Sequence, residues 1–171
     1  RIQDDLSNLG FNVSSLEERK WIQLTKNLSI LTISDYFQDS ILLINLNGHL
    51  LVNINDASNK GWGGFVKNIT KNFKDPFLFK LFGYGDADMI NYFLEDGTKI
   101  PPKAALKKPI GEQINFWSRY YGTKSIVPSS CFHQYQRKDS SWANQFTTNI
   151  SDYTNHLAPE FELYPAFIRY N

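Results

Sequence analysis

The chain has 171 residues, with 18 Lys+Arg against 17 Asp+Glu and a formal net charge of +1. That balance lacks the basic surplus of a dedicated nucleic-acid binder, and 42% hydrophobic with 15% aromatic residues is too apolar for a disordered chain. One cysteine excludes a disulfide framework within the chain, and the longest aliphatic run, Ile41-Leu42-Leu43-Ile44, is far short of the roughly 18 residues of a membrane span.

In chain order, Ile2, Leu6 and Leu9 stand at helical spacing with Gly10 as the closing residue. A chain that opens without Met, on Arg1-Ile2-Gln3-Asp4-Asp5, reads as a piece of a longer polypeptide. Phe11–Leu16 and Trp21–Leu24 are expected as short strands, and Leu28–Ile33 and Ser40–Leu46 as longer ones. Asn47-Gly48 then separates two apolar runs. That dipeptide suits a two-residue type I′ turn, which needs positive φ at both positions, so residues 40–54 are expected as a β-hairpin.

Asn55–Gly64 is turn-rich, and Phe65–Phe73 follows as an amphipathic helix. Phe77–Phe82 reads as a buried strand, left through the loop Gly83-Tyr84-Gly85-Asp86-Ala87-Asp88. Pro101-Pro102 precedes a helical segment, Lys103–Tyr121, which Pro109 interrupts or starts. Its apolar face is Ile110, Ile114 and Trp117, and Gly122 closes it. Ser125–Pro128 is a further strand, Trp142–Thr147 a helix, and Phe161–Ile168 a last apolar stretch. Strands and hairpins followed by strand, helix, strand make one α/β unit with helices layered on a sheet.

Few residues carry obvious chemistry. The histidines are His49, His133 and His156, and none stands at metal-binding spacing to another. Asp56 is the best-placed carboxylate, just past the strand HLLVNI, because groups at strand carboxyl ends line ligand crevices in α/β proteins. The plainer role is a turn aspartate bonding its own backbone. His133 also follows a strand and suits a ligand or a general base, whereas Cys131 reads as a small buried hydrophobe. Gln134–Asn144 mixes Tyr135, Arg137 and Trp142 with polar groups, a composition suited to stacking on and hydrogen-bonding a polar ligand. It equally suits a loop whose aromatics fill the domain's own core. There is no phosphate-cradling P-loop and no Gly-x-Ser-x-Gly elbow. The Asn-x-Ser/Thr sequons at Asn12, Asn27, Asn68 and Asn149 are what chance gives in so Asn- and Ser-rich a chain.

As a set, these residues resemble a known family. The hairpin SILLINLNGHLLVNIND, ending in Asn55-Asp56, resembles the strand pair of metallo-β-lactamase-fold proteins that ends in the metal-bridging aspartate. Leu81–Phe93 (LFGYGDADMINYF) and Ser125–Asn144 (SIVPSSCFHQYQRKDSSWAN) are similar to later segments of the CMP-N-acetylneuraminate hydroxylase and ascorbate-6-phosphate lactonase-like branch. Together they span residues 28–149.

The resemblance implies an αββα sandwich, with residues 1–171 as the C-terminal portion of a single domain that is incomplete at its N-terminus. It implies a divalent metal ion (Zn, Mn or Fe) held by Asp56 and His133, and a metal-activated water as nucleophile. It also suggests a polar small-molecule substrate, a sugar phosphate or nucleotide sugar, for which the composition of Gln134–Asn144 offers Tyr135, Arg137 and Trp142 as contacts. The chain departs from the family pattern in two places. The early His-x-His-x-Asp-His box is missing, and Ser34–Asp39 holds no middle histidine. One carboxylate and one histidine are fewer ligands than zinc usually takes, so the chain alone is expected to be inactive as a hydrolase. The alternative is a metal-free small-molecule-binding module on the same fold. No nucleic-acid partner and no membrane partner are expected, and the absence of a targeting segment points to the cytoplasm.

Overall fold

The computed structural model describes residues 2–83, 93–100, 109–129 and 134–164. Within them lie helix α1 (Ile2–Asn8), strands β1 (Ile22–Thr25), β2 (Leu28–Ser34), β3 (Ser40–Leu46) and β4 (His49–Asn55), and helix α2 (Gly63–Thr70). Strand β5 (Phe77–Leu81), helix α3 (Ile110–Tyr121), strand β6 (Ser125–Ser129), 3₁₀ turns at Ser141–Phe146 and Ile150–Tyr153, and strand β7 (Glu162–Leu163) follow. The protein is mixed α/β.

The strands form one seven-stranded sheet in sequence order. β1 to β4 are an antiparallel meander, and β4 to β7 pair in parallel. β2, β4, β5 and β6 therefore point the same way, and their carboxyl ends share one edge of the sheet. Asn47 and Gly48 both have positive φ, which the type I′ turn between β3 and β4 requires.

Register explains the core. Leu31, Leu43, Val52, Leu78 and Ile126 are direct neighbours across five strands, and each is at most 1% exposed. Burying each such side chain contributes roughly 1.5–3 kcal/mol. α2 and α3 close this face with Val66, Ile110, Ile114 and Tyr121. The Thr70 hydroxyl donates to the Tyr121 carbonyl at 2.6 Å and ties the ends of the two helices together. The next cross-strand row, Thr32, Leu42, Asn53, Phe79 and Val127, turns to the opposite face and is half-buried.

Four expectations change. Residues 11–16 form no strand, and α1 before them packs loosely, with Ile2 and Leu9 about three-quarters exposed. The last helix before β6 begins at Ile110, because Pro109 at its N-cap is extended and has no N–H to give to a preceding turn; residues 101–108 lie outside the described residues. Residues 141–146 form a 3₁₀ helix rather than an α-helix. Residues 161–168 contribute only the two-residue strand β7 within the described part.

Candidate functional site

The shared carboxyl edge gathers the polar groups. β4 leaves the sheet through a bulge: its register to β5 shifts between Asn53 and Asn55, and Asn55 sits at φ 50°. A left-handed Asn is uncommon outside turns, and here it bends the chain so that successive carbonyls turn inward. Two of them, Asn55 O at 3.4 Å and Ala57 O at 3.2 Å, accept hydrogen bonds from the Lys80 ammonium. Lys80 comes from β5, on the helix-covered face of the sheet, and is 6% exposed. The Trp117 ring of α3 lies against it, 4.3 Å from centroid to Nζ.

Burial pushes the Lys80 amine down to about 8, and the charge of Asp56 acts the other way. A buried amine that titrates close to neutral pH is the kind of group that serves as a proton carrier or an anion anchor. Asp56 itself is exposed and accepts a hydrogen bond from its neighbour Asn55 at 2.9 Å. Asp56 therefore stands just past the carboxyl end of β4, and the bond it accepts there comes from a neighbouring side chain.

Asp35, at the end of β2, holds the neighbouring loops. It is 7% exposed. One carboxylate oxygen accepts from Phe37 N at 2.7 Å and Asp39 N at 3.0 Å, and the other accepts from Ser58 N at 2.8 Å. Burial acts to raise its pKa, but these backbone donors outweigh that and hold the carboxyl below its usual range. Asp35 therefore fixes the β2–β3 loop to the segment just after Asp56. Burial also pushes the Tyr121 phenol up, with Tyr120 and Asp35 adding to the shift. Its hydroxyl has no hydrogen-bond partner among the described residues.

Residues that follow the expected ligand-binding loop pack against the end of β5. An added Cβ at Gly83, just past β5, would meet Thr148 Oγ1 at 2.6 Å, and the Tyr153 hydroxyl donates to Phe82 O at 2.7 Å. Tyr135 exchanges two backbone hydrogen bonds with the Asn144 amide, at 2.7 and 2.8 Å. Arg137 pairs with Asp139. Trp142 lies against Phe93 and Phe146, and the Lys99 ammonium stands 4.4 Å from its ring centroid. The Trp142 indole N–H is buried with no partner among the described residues.

His133 and Cys131, like the loop from Tyr84 onward, lie outside the described residues. Among the described residues, no three His, Cys, Asp or Glu side chains converge as a metal would need. The described donor set, with Asp56 as its one exposed carboxylate at the edge of β4, does not fit a metal centre. Two buried residues that hold the site together, Lys80 and Asp35, had only a faint signal in sequence. For Lys80 it is a single charge inside an otherwise apolar strand, Phe77–Leu81.

No protein-family model matches the chain, and no curated protein matches it. Among solved structures, it is similar to a protein of Parabacteroides distasonis ATCC 8503 described as a "putative metal-dependent hydrolase", at 13% identity and a TM-score of 0.49. The match covers 95% of this chain and 61% of that one. The chain thus spans less than two thirds of that protein's length, and a likeness so distant fixes neither fold family nor activity.

Proposed function

We propose that the chain binds a polar, anionic small molecule, such as a sugar phosphate or nucleotide sugar, at the carboxyl edge of β4, β5 and β6. The observation that carries this reading is the Lys80 ammonium. It is a built-in cation, held by two carbonyls and an indole face, with Asp56 as its nearby counter-charge. The aromatic loop around Tyr135, Arg137 and Trp142 supports the same ligand class, because ring faces and guanidinium groups suit sugars and phosphates. The αββα sandwich is the finer fold reading. Its support is the second face of the sheet, where Ile30, Leu42, Ile44, Leu51 and Phe79 alternate with the core residues; apolar residues on both faces suit a sheet covered on both.

A metal-dependent hydrolase is the second reading, and the exposed position of Asp56 past β4 favours it. Calorimetric titration of the chain with glucose 6-phosphate and with a uridine diphosphate sugar, with and without a chelator, separates the two. Binding that survives the chelator and is lost in Lys80→Met, with the thermal melt retained, supports the binding module. Stoichiometric metal by mass spectrometry, lost in Asp56→Ala, supports the hydrolase instead. Binding of neither probe, and no metal, overturns both.

A further inference from the structure

A second feature begins at the β2–β3 loop and runs away from the carboxyl edge across the helix layer. Tyr36 and Phe37 are 76% and 57% exposed and meet edge to face at 5.5 Å. Tyr36 N donates to Lys60 O, which joins them to the loop before α2. Next in line is Trp62, 42% exposed, and beyond it Tyr120, stacked on the 55% exposed Phe116 with planes 22° apart.

Two glycines bring the rings into line. Gly61 has φ +86°, and a Cβ there would stand 3.3 Å from Tyr36 N; a Cβ on Gly63 would stand 2.9 Å from the Tyr120 hydroxyl. Larger residues would push the neighbouring rings off the Trp62 segment.

Cations alternate with the rings. The Arg19 guanidinium lies 4.1 Å from the Trp62 centroid, Lys60 Nζ 5.3 Å from Phe37, and Lys67 Nζ 5.3 Å from Tyr120. Arg19 reaches its place from a left-handed backbone, φ 61°, pinned by Arg19 N donating to Thr32 O. Such a conformation costs energy in a non-glycine residue and persists only where the surroundings impose it. None of the three cations forms an ion pair among the described residues. Three nearby acids are already engaged, Asp35 by three backbone donors, Glu18 by Ser34 and Glu112 by His156, while Asp39 in the β2–β3 loop is exposed.

We infer that this track binds a single strand of nucleic acid. A row of exposed rings interleaved with unpaired cations matches a polymer that alternates flat bases with phosphates. Each base gains stacking on a ring, and each phosphate gains a cation, without any reading of sequence. The near-zero charge of the whole chain does not oppose this, because the contact is local.

The test is fluorescence anisotropy of the full chain with a labelled twenty-residue oligothymidylate at low salt, beside sedimentation with phosphatidylserine–phosphatidylcholine vesicles. Tyr36→Ala and Lys60→Gln alter only highly exposed parts of the track, and Trp62→Ala removes its centre; circular dichroism checks that each variant is folded. The expected result is saturable oligonucleotide binding that weakens as salt rises. Tyr36→Ala and Trp62→Ala each weaken it by about fivefold or more, and Lys60→Gln flattens the salt slope. No binding to the oligonucleotide, binding indifferent to the ring substitutions, or capture by vesicles alone overturns the inference.

Discussion

The Lys80 ammonium lies 4.3 Å from the centroid of the Trp117 indole, on the covered face of the sheet. A cation taken out of water there is favoured by the ring's negative face and by the two carbonyls of the β4 bulge, yet its amine still falls to about 8. Desolvation therefore outweighs the attractions. Trp117→Leu removes one of the attractions, so the Lys80 amine is expected to fall further in that variant. The measurement is an NMR titration of the Lys80 Cε resonance; an unchanged midpoint would show that the ring contributes nothing.

The same shift makes stability depend on alkaline pH. The folded-state value of about 8 lies below the value near 10.4 of an unfolded lysine. Between those values the unfolded chain holds a proton that the folded chain has released. Stability therefore rises with pH through that window, and the penalty is at full strength below about pH 8. Its size is on the order of 3 kcal/mol. Urea unfolding of the wild type and of Lys80→Met at pH 7.5, 9 and 10 checks this. The wild type is expected to gain on the variant as pH rises, and parallel curves would refute it.

Asp35 gives the opposite slope. Its carboxyl is held low by the N–H groups of Ser58, Asp39 and Phe37 acting against burial. The stability it contributes is present above the unfolded value near 3.9 and is lost as pH falls through the lower folded value. Asp35→Ala strips three backbone donors of their acceptor and is expected to cost about 3 kcal/mol at pH 7. Asp35→Asn keeps one carbonyl oxygen and costs less. Chemical denaturation at pH 7 and pH 3 reads both effects: the gap between wild type and Asp35→Ala narrows in acid.

Gly111 tests the seating of α3. Its N–H donates to Asn155 O at 3.0 Å, and a Cβ would stand 2.6 Å from the His156 carbonyl carbon, closer than real contacts allow. Helix propensity alone favours Ala over Gly by about 1 kcal/mol. Overpacking against the backbone of residues 155–157 is expected to reverse that preference and destabilise Gly111→Ala by about 1–3 kcal/mol. A melting temperature equal to or above the wild type's would contradict this packing.

Tyr153 anchors the loop that lies over β5. Its hydroxyl donates to Phe82 O at 2.7 Å across 71 residues of sequence, and the ring is 2% exposed. Tyr153→Phe keeps the ring and leaves that buried carbonyl short of a donor, a loss of about 1 kcal/mol. Amide hydrogen exchange is expected to quicken in residues 147–153 before it quickens in the sheet. Uniform quickening over the whole chain would instead mean that this loop does not open separately.

The sequence by itself determined β1 to β6, the hairpin and the closure of α3. Asn47-Gly48 accepts only a turn with two positive φ angles, period-two alternation sends Leu31, Leu43 and Val52 to one face, and Gly122 takes the left-handed position at φ 69° that ends α3. Those signals are local, written within a few residues. Asp56 at the end of β4 was legible for the same reason. Lys80 and Asp35 were not, because their roles depend on partners far along the chain: carbonyls from the β4 bulge, a ring from α3, and backbone donors from two different loops. The row of exposed rings joins positions 36, 62 and 116, and no pattern of spacing could have put them on one surface. Local sterics and hydrophobic periodicity fix which residues become strand or helix. Only packing brings distant polar groups out of water together, and there their charges and hydrogen bonds acquire the strength on which a site depends.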